Sequence, residues 1–535
     1  MCSSDLDPMV SGNITGRVRF TRIPVTSAGL NYAAGTLQPA RGVLVLAVVP
    51  GTQAVSATDP GVLGSATTGT NGTFGIEVAG NTSYSLVAVA RMLRDSSQPL
   101  PHWDVSVVDG DVDNSIPYTF TDGATYNTST ATAVNYDIPS GHNVLTGAVT
   151  GTRASAPFAI LDTIYQGLQF ILAAAPSTEF PALLVDWAAT GTDPGTFFDP
   201  NNPQTIALPA DVTEDTDEFD QHVIAHEFGH YIEHNFSRAD NIGGVHGLGD
   251  KLDIRIAFGE GFGYAFGAMV LNEPVSRDTF VDNGVQFSST FNVETNPSMT
   301  PPGSPPDNYG CWCSESSVWS ILWDLYDPAA DANDTLALGF TPLWSVLTGQ
   351  QRNTPAFTSI FSFISALKTA RPADAAAIDT LLAAQNIGSV ADAFGTGETH
   401  FPENVPSAAA LPVYTPVTVG GAPVVFRTVD DAGRYNALGN HRFLRFTLAS
   451  ARNLNISVTS SNPDINADPD FVVYGNGAAI DFLEGQDGPP QPQPETGFFS
   501  NVPAGTYVID VYDCANGCND EEGAPGDYDL TVTVN

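Results

Sequence analysis

At 535 residues the chain exceeds what one hydrophobic core supports, so several domains are expected. Apolar residues at 42% against charged residues at 15%, with 50 Gly and 39 Pro, exclude a disordered, tail-dominated chain and favour turn-rich β modules. The 59 acidic and 19 basic residues, a formal charge of −40, exclude nucleic acid and anionic membrane surfaces as partners and suit a solvated extracellular surface.

Residues 1–11 stand apart from the rest. MCSSDL reads either as a lipoprotein start acylated at Cys2 or as an adapter-derived artefact, and the second reading is preferred. The given chain opens without a signal peptide, and no run of eighteen apolar residues predicts a membrane span. Apart from Cys2, the cysteines form two close pairs, Cys311 with Cys313 and Cys514 with Cys518, a spacing that predicts local disulfides rather than zinc ligands.

Residues 12–98 alternate in short segments such as GRVRF, VLVLAVV, FGIEV and SYSLVAVA between Gly, Asn and Thr turns, which predicts an antiparallel β-sandwich. Residues 99–150 read as a polar connecting segment. Within it, DGDVDN from Asp109 to Asn114 starts like a calcium loop but lacks the glycine and glutamate of an EF-hand. From Ala156 the period turns helical: Leu161, Ile164, Tyr165, Leu168 and Leu172 share a face, and Pro157 suits a first turn. A largely helical domain is expected over 151–402. Inside it PALLVDW and TIALP read as strands, and the second leads through the acidic loop DVTEDTDEFD into QHVIAHEFGHYIEHNF.

His226 and His230 are four residues apart, so on a helix both imidazoles leave the same face and can hold one ion. Glu227, one residue round from the first, can take a proton from an attacking water without itself ligating. A catalytic zinc needs a third protein ligand. A histidine six residues beyond His230 is absent, because that position is Phe236. His234 lies a turn further along the helix; His246 sits in the loop IGGVHGLGD without a defined scaffold; Asp250 and Asp253 fit less well. Glu260, in the apolar segment AFGEGFGYAFGAMVL, is preferred, since a lone buried carboxylate is costly unless a metal compensates it. Gly259, Gly263 and Gly267 give that segment a smooth face for close helix packing.

HEFGH followed by GEGF resembles the glutamate-zincin metallopeptidases, and most of all the fungalysin group; SVWSILWDLYD is similar to that group's next helix. The resemblance spans His222 to Asp327 and implies a thermolysin-like zinc peptidase. Two departures stand out. Tyr264 occupies the place of the aspartate that orients a zinc-binding histidine in such enzymes, and CWCSESSVW lacks the usual oxyanion-stabilising histidine, for which Tyr309 is a replacement candidate; Glu315 is expected to serve at the surface or as a cap. The strand Thr205–Leu208 is expected to offer its edge to an extended peptide.

Two flanking modules carry resemblances of their own. GTNGTFGIEVAGNTSYSLVAVA looks like the transthyretin-like modules of secreted enzymes, and within 403–535 DPDFVVY, VPAGTYVIDVY and GDYDLTVTV resemble pre-peptidase C-terminal β-sandwiches, jelly rolls that sometimes bind calcium. Asp468, Asp470, Asp520, Glu521 and Glu522 are oxygen donors available there. The expected fold is therefore multidomain α+β, a zincin-like domain between two β-sandwiches. The expected function is a secreted bacterial zinc endopeptidase, monomeric, acting on protein or peptide substrates with Zn2+ held by His226, His230 and Glu260, and Ca2+ as a secondary expectation. The competing readings are an adhesive surface protein with a degenerate zincin domain and a zinc hydrolase of non-peptide bonds.

Overall fold

The computed structural model describes residues 13–109, 116–130, 133–187, 195–296, 310–328, 334–398, 412–427, 435–461, 468–481, 494–518, 526 and 528–535. The architecture is α+β, with several sheets and helices. The chain divides into two compact units, Met1–Tyr231 with Phe266–Phe291, and Ile232–Ala265 with Asn292–Asn535.

The first unit is built on a sheet whose order is Phe197–Asp199, Thr205–Leu208, Leu183–Trp187, Trp103–Val108, Ser83–Arg94, Val43–Val48, Val62–Thr67. Strand pairs within residues 12–98 are antiparallel, whereas Leu183–Trp187, from the stretch expected to be largely helical, joins the sheet parallel to both neighbours, Val185 opposite Val107 and opposite Ile206. A parallel pair needs a crossover, and helix α1 (Ala156–Ala174) lies in the connection. Residues 99–150, read as a connector, contribute strands: Trp103–Val108 joins this sheet, and Val134–Ile138 pairs in parallel with Ile14–Arg22 in a second one. Core strands show the burial their residues predict, with Val43–Val48 buried throughout as a strand covered on both faces. Buried Asp162 of α1 holds that helix to the sheets, 2.5 Å from Arg41 Nε and 3.4 Å from Arg22 Nη2.

Thr205–Leu208 lies inside the sheet, paired with Leu183–Trp187 on one side and with Phe197–Asp199 on the other. The expected free edge is therefore occupied. The short hairpin around the cis Asn202–Pro203 bond folds Phe197–Asp199 back onto it, a pairing that no local pattern announces.

Helix α2 (Gln221–Phe236) and helix α3 (Ile254–Leu271) each carry residues of both units. By length and composition α3 is able to cross a membrane, but 83% of that stretch is buried inside the molecule, so it is a core helix.

The second unit combines helices α4 (Glu315–Tyr326), α5 (Phe340–Val346), α6 (Ile360–Ala370) and α7 (Ala375–Ala384) with two sheets. One sheet runs Tyr414–Pro416, Arg442–Leu448, Gly505–Asp513, Pro469–Gly475, Ala478–Asp481; the other runs Val424–Arg427, Asp529–Val534, Arg452–Ser460, Glu495–Val502. Their inward residues, among them Leu444, Ile456, Val473, Ile509 and Val532, share one apolar core, as the alternating pattern predicts. Arg255, on the first turn of α3, ties helix to sandwich: its Nη2 lies 2.9 Å from Asp253 Oδ2 and its Nη1 2.8 Å from Asp510 Oδ2. The same guanidinium stacks over Phe357 and Phe443 at 4.7 and 4.9 Å.

Candidate metal centre

The HEFGH segment lies in α2, as its periodicity predicts. Position i and position i+4 fall on one face, and the two imidazoles present Nε2 atoms 3.0 Å apart. Two nitrogens about 2.0–2.1 Å from one tetrahedral ion would be roughly 3.3 Å apart, so this pair fits a single zinc. Glu227 Oε1 lies 4.0 Å from His226 Nε2. All three residues offer ligand atoms within 4.8 Å of one another. His226 and Glu227 are each 6% exposed, a burial that strengthens any charge interaction there.

The helix is held from below by close packing. Phe228 stacks on Tyr231 with ring centres 5.2 Å apart, and the Tyr231 hydroxyl donates to the Pro181 carbonyl at 2.7 Å. Gly167 of α1 makes room for Phe228: a Cβ there would meet the ring at 2.6 Å. His222, one turn before His226, points to the Glu273 carbonyl at 3.1 Å, and burial lowers its pKa.

The glycine stripe of α3 divides its work. Gly267 faces the α2 backbone, where a Cβ would come 3.3 Å from the His222 carbonyl, whereas Gly259 faces the Asn241 side chain at 2.8 Å. Gly261, outside the stripe, admits α4, whose Glu315 carbonyl and Val318 Cβ would lie 2.7 and 2.5 Å from an added Cβ.

Glu260 is 6% exposed. Its Oε1 accepts from Asn241 Nδ2 at 3.0 Å, and its Oε2 is 3.3 Å from His246 Nε2. Arg255, the one cation near it in sequence, is committed to Asp253 and Asp510; the same bonds commit Asp253 to a structural pairing. His246 has a scaffold after all: its Nδ1 is 2.9 Å from Glu315 Oε2. Glu315 is not at the surface but 2% exposed, at the start of α4. Sequence reasoning missed this carboxylate–imidazole–carboxylate chain because His246 and Glu315 are 69 positions apart. A charged residue opening a helix rich in Val, Trp, Ile and Leu was the available signal.

Tyr264 packs edge-on against Trp319 of α4, ring centres 5.2 Å apart, so an aromatic contact fills the place of the expected aspartate. His234 is exposed, as expected of a residue past the site. The cysteines pair locally, Cys311 with Cys313 and Cys514 with Cys518. Asp468 and Asp470 lie beside the second disulfide, where the Cys514 N–H donates to the Asp468 carbonyl at 2.8 Å. Tyr309, Cys2, residues 110–114 of DGDVDN, and Asp520, Glu521 and Glu522 lie outside the described residues.

No family model matches the chain, and no curated protein matches it. Among solved structures, the pre-peptidase C-terminal domain of a collagenase from Bacillus anthracis is similar over 23% of this chain and 94% of that one, at 17% identity and a TM-score of 0.17. CorA, a surface-associated copper-binding protein of Methylomicrobium album BG8, covers 23% of this chain and 96% of its own at 11% identity and a TM-score of 0.17. PliG, a periplasmic inhibitor of g-type lysozyme from Aeromonas hydrophila, covers the same shares at 18% identity and a TM-score of 0.14.

Proposed function

We propose that this chain is a secreted zinc-dependent endopeptidase, with His226, His230 and Glu260 as metal ligands and Glu227 as the general base. The observation that carries the reading is the pair of Nε2 atoms 3.0 Å apart on a buried helix, with a carboxylate between the two positions in sequence. Zinc, when bound, supplies Lewis-acid polarisation of the scissile carbonyl and a lowered pKa for water at the site. Glu227 takes the proton of the attacking water and hands it to the leaving amine. Its burial excludes competing solvent from that carboxylate and keeps its charge effective. For Glu260 the support is chemical: a buried carboxylate of α3 that accepts from Asn241 Nδ2 at 3.0 Å and lies 3.3 Å from His246 Nε2, both of them neutral-capable groups that leave a carboxylate able to ligate. Two local disulfides and an acidic surface fit an extracellular, oxidising setting. The C-terminal sandwich contributes no catalytic group and serves secretion or adhesion.

The test is hydrolysis of casein by the purified full chain. Chelation of zinc is expected to abolish cleavage and zinc addition to restore it, while His226→Ala loses both bound zinc and activity. Zinc bound at one per chain without cleavage of casein or of a broad peptide library would contradict the peptidase reading and favour an adhesive protein or a hydrolase of other bonds.

A further inference from the structure

The acidic loop before α2 carries more negative charge than the fold compensates. Asp215 lies on the short strand Asp215–Thr216, opposite Phe280 of the strand Val275–Asp282. Asp217 opens the 3-10 turn Asp217–Phe219, Asp220 immediately precedes α2, and Asp278 lies on Val275–Asp282. Carboxylate oxygens of Asp215, Asp217 and Asp278 all come within 4.8 Å of one another.

Asp217 and Asp220 are 1% and 0% exposed. Each uses one oxygen within the protein. Asp217 Oδ2 accepts from the Thr196 hydroxyl, and Asp220 Oδ2 accepts from Thr279, its N–H at 2.9 Å and its hydroxyl at 2.7 Å. The other oxygen of each, Oδ1, is buried with no hydrogen-bond partner among the described residues. Burial raises the Asp217 carboxyl, and Asp215, Asp220 and Asp278 raise it further; burial raises Asp220 as well, reinforced by Asp278 and Asp215. The nearby buried Glu218 already has its cation, Arg153 Nη1 at 2.8 Å. Buried charged oxygens without partners are costly unless a cation takes them.

We infer that Asp215, Asp217, Asp220 and Asp278 form a calcium site at the foot of α2. The donors are all hard oxygens, with no imidazole or thiolate among them, which selects calcium or magnesium over zinc. The number of carboxylates selects between those two. Calcium takes about six to eight oxygens, several of them from carboxylates, whereas magnesium dehydrates reluctantly and is held through one or two carboxylates and its own waters. A bound Ca2+ joins the Asp215 strand, the 3-10 turn and the Thr279 strand to the start of α2, whose first turn hangs on the Asp220 carbonyl through the Ile224 N–H at 3.1 Å. The site shares no ligand with the proposed zinc centre, so either can fail alone.

The test uses the full chain, stripped of divalent ions and reloaded with one zinc. Isothermal titration with Ca2+ is expected to show one saturable site and a raised thermal midpoint, with a smaller response to Mg2+. Asp217→Asn and Asp278→Asn, singly, are expected to lose that binding and to raise the midpoint of the stripped protein by relieving repulsion, while Asp470→Asn keeps the calcium response. Wild-type protein that takes up no Ca2+, a response retained by both variants, or an equal response to Mg2+ would each overturn the inference.

Discussion

Glu260 shows how one buried residue becomes interpretable once its neighbours are known. In an apolar helix a carboxylate pairs with a cation or binds one. Arg255 is engaged by Asp253 and Asp510, and Asn241 and His246 are among the groups facing Glu260. Glu260→Ala is expected to lower zinc content below one per chain while the circular dichroism spectrum is unchanged; full zinc occupancy would assign the third ligand elsewhere. Asp253→Asn makes the opposite split. It leaves zinc content intact but strips a buried guanidinium of one partner, at a cost of about 3–5 kcal/mol of unfolding free energy. The residues legible in the sequence were those whose relation is local: His226, Glu227 and His230 announce themselves by a four-residue repeat on one helix. The chain from Glu315 through His246 to Glu260, and the approach of Asp278 to the acidic loop before α2, were not legible, because tertiary folding brings distant positions together without leaving a periodic mark.

At the scale of elements, helix packing depends on which glycine faces what. Gly261→Ala sets a Cβ 2.5 Å from Val318 Cβ and 2.7 Å from the Glu315 carbonyl, so α4 must move, and a loss of about 2–3 kcal/mol in denaturant unfolding is expected. Gly267→Ala meets nothing closer than 3.3 Å, and the gain in helix propensity of about 1 kcal/mol offsets that crowding. A change within about 1 kcal/mol of wild type is expected. A larger loss from Gly267→Ala than from Gly261→Ala would contradict this packing. The alternation of apolar residues identified most strands and α1, but strand order escaped it: Thr205–Leu208 reads like an edge and lies between two partners. Pairing depends on where the chain returns, which a local pattern does not encode.

For the whole molecule, charge decides the response to acid. Burial alone would raise the Asp510 carboxyl, but Arg255 and His441 outweigh it and hold it at about 2. A carboxyl depressed in this way stabilises the folded state above the ordinary carboxylate range and loses that contribution as pH falls through the folded value. The margin is about 2 kcal/mol, so the stability gap between wild type and Asp510→Asn is expected to narrow as pH drops below ~4. A gap that stays constant to pH ~2 would contradict the pairing. With a formal charge of −40, added salt screens self-repulsion and is expected to raise the thermal midpoint. The two flanking β regions were legible as β patterning, while their integration was not: Leu183–Trp187 extends the first unit's sheet, and Arg255 reaches the C-terminal sandwich through Asp510. The central claim, a hydrolytic zinc site on α2, is tested most directly by zinc content and casein turnover in Glu227→Gln. The account predicts one zinc per chain with turnover reduced by about 10²–10⁴-fold; undiminished turnover at full zinc occupancy would contradict it.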